Sequence, residues 1–213
     1  MTIDEQKLFI NEVYKYEYKN IFLLAIYTGM RIGEILALQK NDIDLKNNLI
    51  HINRTLTKDK NDQVIIGDTT KTYAGIRDIP ITSIISDTIA DALNNYIENV
   101  NELLFLTKKG TICTPNSFNA IFKEICKNVH VKETIYIMHR KDKIINLKTS
   151  TVNTHMLRHT YATRAIEAGI SPVVLQRLLG HKDIQTTLNT YTSVFNKFKE
   201  DEIEKVNNYL INL

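Results

Sequence analysis

Proline and glycine are both scarce, with three and seven among 213 residues. No Pro/Gly-rich linker, low-complexity segment or internal repeat divides the chain, so one compact unit is expected, and its length is enough to bury a sizeable core. Cysteine is scarcer still. Cys113 and Cys126 fit neither a disulfide framework nor a metal-ligand spacing, and they read as free thiols of a reducing compartment. The longest apolar run, "IFLLAIY" at Ile21 to Tyr27, is far too short to cross a bilayer. The opening "MTIDEQKLF" lacks the basic and apolar stretches of a signal peptide, so a soluble, cytoplasmic protein without a membrane partner is expected. The chain also lacks the acidic cluster that a metal-dependent nuclease would need.

What is present is ordinary in amount and uneven in distribution. Hydrophobic residues make up 43% of the chain and charged residues 24%, and the formal net charge is only +3. Between His139 and Arg164, however, six basic residues (Arg140, Lys141, Lys143, Lys148, Arg158, Arg164) stand against Asp142 alone. Such a patch on a near-neutral chain suits a polyanion, although charge alone favours a solvated surface. The tail from Lys197 to Lys205 reverses the balance, with four acids against three lysines.

Periodicity gives a coarse architecture. "TIDEQKLFINEVYKY" predicts a helix opened by a capping box, Thr2 with Glu5. A second helix is expected over about Lys19 to Tyr27, broken by Thr28-Gly29, with "RIGEILAL" resuming helix. The period then switches to two. "NLIHINRTL", "QVIIGDTT" and "IRDIPI", separated by the turns "KDKND" and "YAG", predict a three-stranded antiparallel meander at about Leu49 to Ile81. From Ser83 onward the chain reads as helical. Ser171 serves as N-cap, Pro172 as first helical residue and Gly180 as the stop, and a new helix begins at Asp183. The tail from about Asn196 to Leu213 predicts an amphipathic helix with Phe198, Ile203, Val206, Tyr209 and Leu210 along one stripe. A short mobile segment is expected between it and Tyr191. The fold class is therefore α+β, mainly α-helical, with a small three-stranded antiparallel sheet.

The chemistry-bearing stretch is "HMLRH". On a helix His155, Arg158 and His159 share a face. An arginine forks two N–H groups onto an oxyanion and an imidazole can pass a proton. A zinc site fits poorly, because no Glu follows the first histidine and an arginine stands between the two imidazoles. Taken alone, the stretch fits two histidines packing at the edge of a core better than a catalytic set. Other stretches add to it. "TGMRIGE" puts Arg31 just past a glycine break, near a helix start that favours anions. "TKTYAGIRDIP" puts Lys71 on a tight turn, "LLGH" puts His181 just past a helix stop, and "TLNTYTSV" offers Tyr191.

Arg31, Lys71, His155 and Arg158, His181 and Tyr191, in this order from Thr28 onward, resemble the signature of the tyrosine recombinases, the phage and conjugative-transposon integrase family. The resemblance implies a site-specific DNA recombinase or integrase that cleaves and rejoins DNA through a 3′-phosphotyrosyl intermediate, without ATP, metal or other cofactor. Tyr191 is the implied nucleophile and His155 the acceptor of its proton. Arg31 and Arg158 would meet the charge on the non-bridging oxygens, His181 would add a hydrogen bond there, and Lys71 would protonate the leaving 5′-oxygen. Glu34 would brace Arg31 from behind, whereas His159 reads as packing or a DNA-backbone contact. Implied partners are double-stranded DNA, other protomers of a tetrameric synaptic complex reached through the C-terminal tail, and accessory DNA-bending or excision factors. The localisation would be a bacterial cytoplasm, on DNA. The whole of residues 1–213 is expected to be the catalytic domain, with the family's N-terminal core-binding domain absent from this chain. A type IB topoisomerase shares the chemistry, but "LLGH" and the short length favour a recombinase. A regulator built on a dead catalytic domain is disfavoured by the complete residue set.

Overall fold

Local chain chemistry sets the helices. In the computed structural model, which describes residues 1–61, 63–68, 75–129 and 152–212, α1 (Ile3–Val13) opens on the expected capping box. The Thr2 hydroxyl accepts from the Glu5 amide, and the Glu5 carboxylate accepts from the Thr2 amide. α2 (Lys19–Thr28) has no polar face, and Ile21 to Ile26 are all at most 2% exposed. A helix apolar all round must lie at the centre of its fold, and α2 packs against α1, α3 (Ile32–Leu36), α4 (Ser83–Asn94) and α6 (His155–Glu167). Phe9, Phe22, Phe118 and Phe122 form the aromatic heart of this core, where α1, α2 and α5 (Pro115–Asn128) meet.

The β region departs from the expected meander. β1 (Ile43–Asp44), β2 (Leu49–Ile52) and β5 (Arg77–Pro80) form a three-stranded antiparallel sheet in that order, while β3 (Arg54–Lys58) and β4 (Val64–Asp68) form a separate two-stranded hairpin. The expected first strand is thus two strands split at Asn53. Asn53 Nδ2 and Arg54 Nη1 both donate to the buried carboxylate of Asp42, which turns the chain out of the first sheet. β2 then pairs with β5, with buried Ile50 opposite buried Ile79. The fold class stands as read from the sequence: mainly helical with a small antiparallel sheet.

The C-terminal helices build a second, smaller core. α7 (Pro172–Leu179) starts from Ser171, whose hydroxyl accepts from the Val174 amide, and ends at Gly180 in the left-handed region. α8 (Ile184–Thr190) is capped by Asp183. α9 (Thr192–Ile211) begins directly after Tyr191, so the short mobile segment expected there is replaced by a single hinge residue between two helices. Ala162, Ala165, Ile166, Leu175, Leu179 and Tyr191 form the buried cluster. No described helix is long and apolar enough to cross a membrane, and both cysteines are buried and free.

Gly29 joins the two cores. Its φ is +68°, and a Cβ there would stand 2.4 Å from the Tyr161 ring and 3.0 Å from Leu179. Gly29→Ala should therefore destabilise the fold by about 2 kcal/mol or more, from left-handed strain plus overpacking. Urea unfolding checks this, and Gly110→Ala, with left-handed strain but open space around it, should cost less.

Candidate active site

Arg158 is the deepest polar group of the site. Its residue exposure is 1%, and burial of a cation requires partners. Nη1 donates to the Gly29 carbonyl (2.9 Å) and Nη2 to the Leu179 carbonyl. Gly29 is the C-cap of α2 and Leu179 the last residue of α7. Both are helix C-termini, where orphan carbonyls and the negative end of the dipole favour a cation. Burial first, and then the charge of Arg31, pull the Arg158 guanidinium down to about 9, so it stays charged at neutral pH.

Arg31 stands at the N-cap of α3 with Glu34 three residues on. Glu34 Oε2 accepts from the Arg31 amide and Oε1 from Arg31 Nη1, both at 2.8 Å. Arg77 grips the same carboxylate from β5, with Nη2 to Oε2 at 2.7 Å and Nη1 to Oε1 at 3.1 Å, while its Nε donates to the Leu178 carbonyl. Glu34 thus holds both the amide and the guanidinium of Arg31. The two-arginine clamp upon it was not anticipated, since Arg77 and Glu34 stand 43 residues apart in the chain. The Arg31 side chain is 41% exposed, in contrast with 6% for Arg77 and 2% for Glu34. Arg31 is therefore the member of the trio that presents charge outward.

His155 opens α6 and His159 lies one turn further, their rings edge to face at 4.8 Å. His181 follows the Gly180 stop, and its Nδ1 lies 2.8 Å from the buried Thr187 hydroxyl. Desolvation, followed by the neighbouring cations, lowers His155 and His181 to about 4 each, so both rings are neutral at pH 7. Arg31 and Arg158 act on both of them. Tyr191 is 4% exposed, and its hydroxyl lies 3.0 Å from Nδ1 of His159, not beside His155. Burial pushes its phenol up to about 12. A cavity of about 400 Å³ adjoins His181 between Arg77, Arg177 and Lys182. A larger one of about 540 Å³ lies at the opposite end of α2, near Tyr14, Asn20 and Lys108.

The structure therefore brings Arg31, Glu34, His155, Arg158, His181 and Tyr191 into one region. Lys71 and four basic residues of the stretch 139–164, Arg140, Lys141, Lys143 and Lys148, lie outside the described residues. His159 was missed as a partner of Tyr191, because two residues 32 apart in sequence give no local sign of contact. Among the described residues no group of three or more metal-type ligands exists.

A mainly helical domain with a small antiparallel sheet is the fold of tyrosine recombinase catalytic domains. The chain belongs to the Phage integrase family, which it matches over residues 1–197. It is 29% identical to the transposase of transposon Tn916 from Enterococcus faecalis over 85% of this chain and 43% of that protein. To the integrase of Staphylococcus phage L54a it is 31% identical over 84% of this chain and 49% of that protein. The chain spans about half the length of the curated relatives it matches. Among solved structures, the Tn1549 transposon integrase in complex with a circular intermediate DNA superposes with a TM-score of 0.76 at 24% identity, over 97% of this chain and 65% of that one. The XerA recombinase gives 0.68 at 19%, over 95% and 64%.

Glu34 also sets an acid limit on stability. Burial alone would raise its carboxyl, but the Arg77 fork and Arg31 override this and lower it from the ordinary 4.5 to about 2. A depressed carboxylate contributes stability fully above the unfolded value and loses it as pH falls through the folded one. That contribution, on the order of 3 kcal/mol, should fade between pH 4.5 and about 2. Urea unfolding across this window should show a shallower acid limb for Glu34→Gln, together with lower stability at pH 7.

Proposed function

We propose that this chain is the catalytic domain of a site-specific DNA recombinase or integrase of a phage or mobile element, breaking and rejoining strands through Tyr191. One observation carries this reading: a buried arginine, a partly exposed arginine and two neutral histidines from three separate segments surround the region of a single tyrosine hydroxyl. Phosphodiester attack needs a positioned oxygen nucleophile and fixed cations where charge gathers. Arg31 and Arg158 supply the cations, and arginine suits the task because it stays charged and can bind bidentately. As neutral rings, His155 and His181 are hydrogen-bond donors to phosphate oxygens. Lys71 supplies the proton for the leaving 5′-oxygen.

In the cleavage step the Tyr191 oxygen bonds to phosphorus, the bond to the 5′-oxygen breaks, and a 3′-phosphotyrosyl link remains. The energy of the phosphodiester is retained in that link, so rejoining needs no ATP. Double-stranded DNA is the substrate, as befits a domain whose relatives are named as integrases, transposases and recombinases. Tyr191→Phe should bind DNA with near-parental affinity, because lysine and arginine contacts to phosphate dominate binding. Its cleavage should vanish, with or without EDTA. The check is a nicked suicide duplex carrying the ends of the element, followed by peptide mapping of the covalent adduct. Cleavage surviving in Tyr191→Phe, or an adduct mapped elsewhere, would sink the assignment.

The tail is the proposed contact between protomers in a tetramer on DNA. Ile203, Val206, Tyr209, Leu210 and Ile211 on α9 are each more than half exposed, an apolar stripe that its own domain leaves uncovered. Truncation after Glu202 should spare binding to a single site and abolish higher-order complexes in gel-shift and sedimentation measurements. Accessory DNA-bending or excision factors complete the proposed assembly.

A further inference from the structure

The phenol of Tyr191 already has a partner outside the six signature residues. Its hydroxyl lies 3.0 Å from His159 Nδ1, and the two rings meet edge to face at 5.7 Å and 62°. Tyr191 is buried in the small C-terminal core beside Leu175, Leu179 and Ile166, so packing fixes the direction in which the hydroxyl points. Burial also leaves the phenol poorly acidic, at about 12. At pH 7 only about one phenol in 10⁵ would then be ionised without help. Attack therefore requires a base within hydrogen-bond reach, and position is the first criterion for that base.

We propose that His159 is a further catalytic residue of the strand-cleavage reaction, fixing the Tyr191 hydroxyl and taking its proton at Nδ1 as the oxygen attacks phosphorus. The proposal rests on the recombinase reading above. Its balance is complete. The bond from the phenol oxygen to phosphorus forms, the bond to the 5′-oxygen breaks, the phenol proton goes to His159 Nδ1, and Lys71 gives a proton to the 5′-oxygen. On rejoining, the 5′-hydroxyl attacks and gives its proton back to Lys71, the bond from phosphorus to the phenol oxygen breaks, and His159 returns a proton to the departing phenolate. His155 is thereby released from the role of base to hydrogen-bond a non-bridging oxygen.

The surroundings keep His159 ready to accept. Burial, then Arg158 on its own helix, then the amino terminus of Met1 all lower its basicity, so the ring is neutral and one nitrogen is unprotonated. The other groups facing it are His155 on α6 and Tyr191 at the α8–α9 hinge. His159 is itself an exposed residue, so a proton taken by the ring can exchange with water.

The test is single-turnover adduct formation on the nicked suicide duplex, in EDTA, from about pH 5.5 to 9 across the histidine range. The full chain is compared with His159→Ala and His159→Asn, the latter keeping a polar group near the Nδ1 position without a basic nitrogen. Both variants should bind DNA and melt close to the parent. His159→Ala should cleave about 100-fold slower or worse at pH 7, within the usual range for a lost general base. Its rate should rise with pH where the parent's is flat, and added imidazole should restore part of it. His159→Asn should stay slow. Cleavage within about threefold of the parent in either variant, a faster variant, or a slow one with the parental pH profile and no imidazole rescue would each overturn the role of His159. If the parent itself yields no Tyr191 adduct, the recombinase reading falls and this proposal with it.

Discussion

One buried guanidinium holds the candidate site together. Arg158 has its stem on α6 and its fork on the carbonyl ends of α2 and α7. Each of those helices terminates in a left-handed glycine, Gly29 and Gly180, and a chain that turns so sharply leaves its last carbonyls without intrahelical partners. The arginine satisfies one from each helix, and two helix dipoles stabilise its charge in return. Arg31 follows Gly29 by two residues and His181 follows Leu179 by two. Joining the helix ends therefore also sets how far apart these side chains stand, so that the proposed phosphate recognition and the tertiary packing depend on the same contact.

A second set of bonds extends this brace. Arg77 reaches from β5 to the carbonyl of Leu178, adjacent to the one that Arg158 uses, and grips Glu34 with its fork. Glu34 in turn fixes both the amide and the guanidinium of Arg31. A buried carboxylate between two arginines is a costly arrangement in isolation, since desolvating three charges offsets much of their attraction. Its merit is geometric. Arg77 is fully committed inside the protein, so Arg31 can leave much of its side chain in solvent with its orientation fixed. The small sheet thereby has a role beyond covering the core, because β5 carries Arg77 to the end of α7.

What was legible in the sequence was what the chain decides locally. The Thr2–Glu5 box, the Gly29 stop, the Ser171–Pro172 start, the Gly180 stop and the Asp183 cap each depend on a few adjacent residues, and each appears where its side-chain chemistry requires. The strand segments were legible for the same reason, but their partners were not. The meander failed at Asn53 because Asp42, eleven residues back, draws Asn53 and Arg54 towards itself. Nothing in a period-two pattern records that pull. The order of the family signature located Arg31, His155, Arg158, His181 and Tyr191, whereas the links among them are set by contacts across 43 residues for Arg77 with Glu34 and 129 for Arg158 with Gly29. Such links become visible only when the helices are packed.

Tyr191 shows how closely packing and the proposed chemistry are coupled. It ends α8, begins α9, and belongs to the buried cluster of the C-terminal core. A tyrosine so placed is poorly suited to ionise and well suited to stay in one orientation. These two consequences of burial act in opposite directions on a nucleophile: the first disfavours the phenolate, and the second lowers the entropic cost of aligning the oxygen for attack. An adjacent neutral imidazole offsets the first without giving up the second. The hinge position adds a mechanical consequence. Because α9 starts at the residue after Tyr191, any force that reorients the exposed apolar face of α9 acts on the backbone that carries the phenol, and with it on the hydrogen bond to His159.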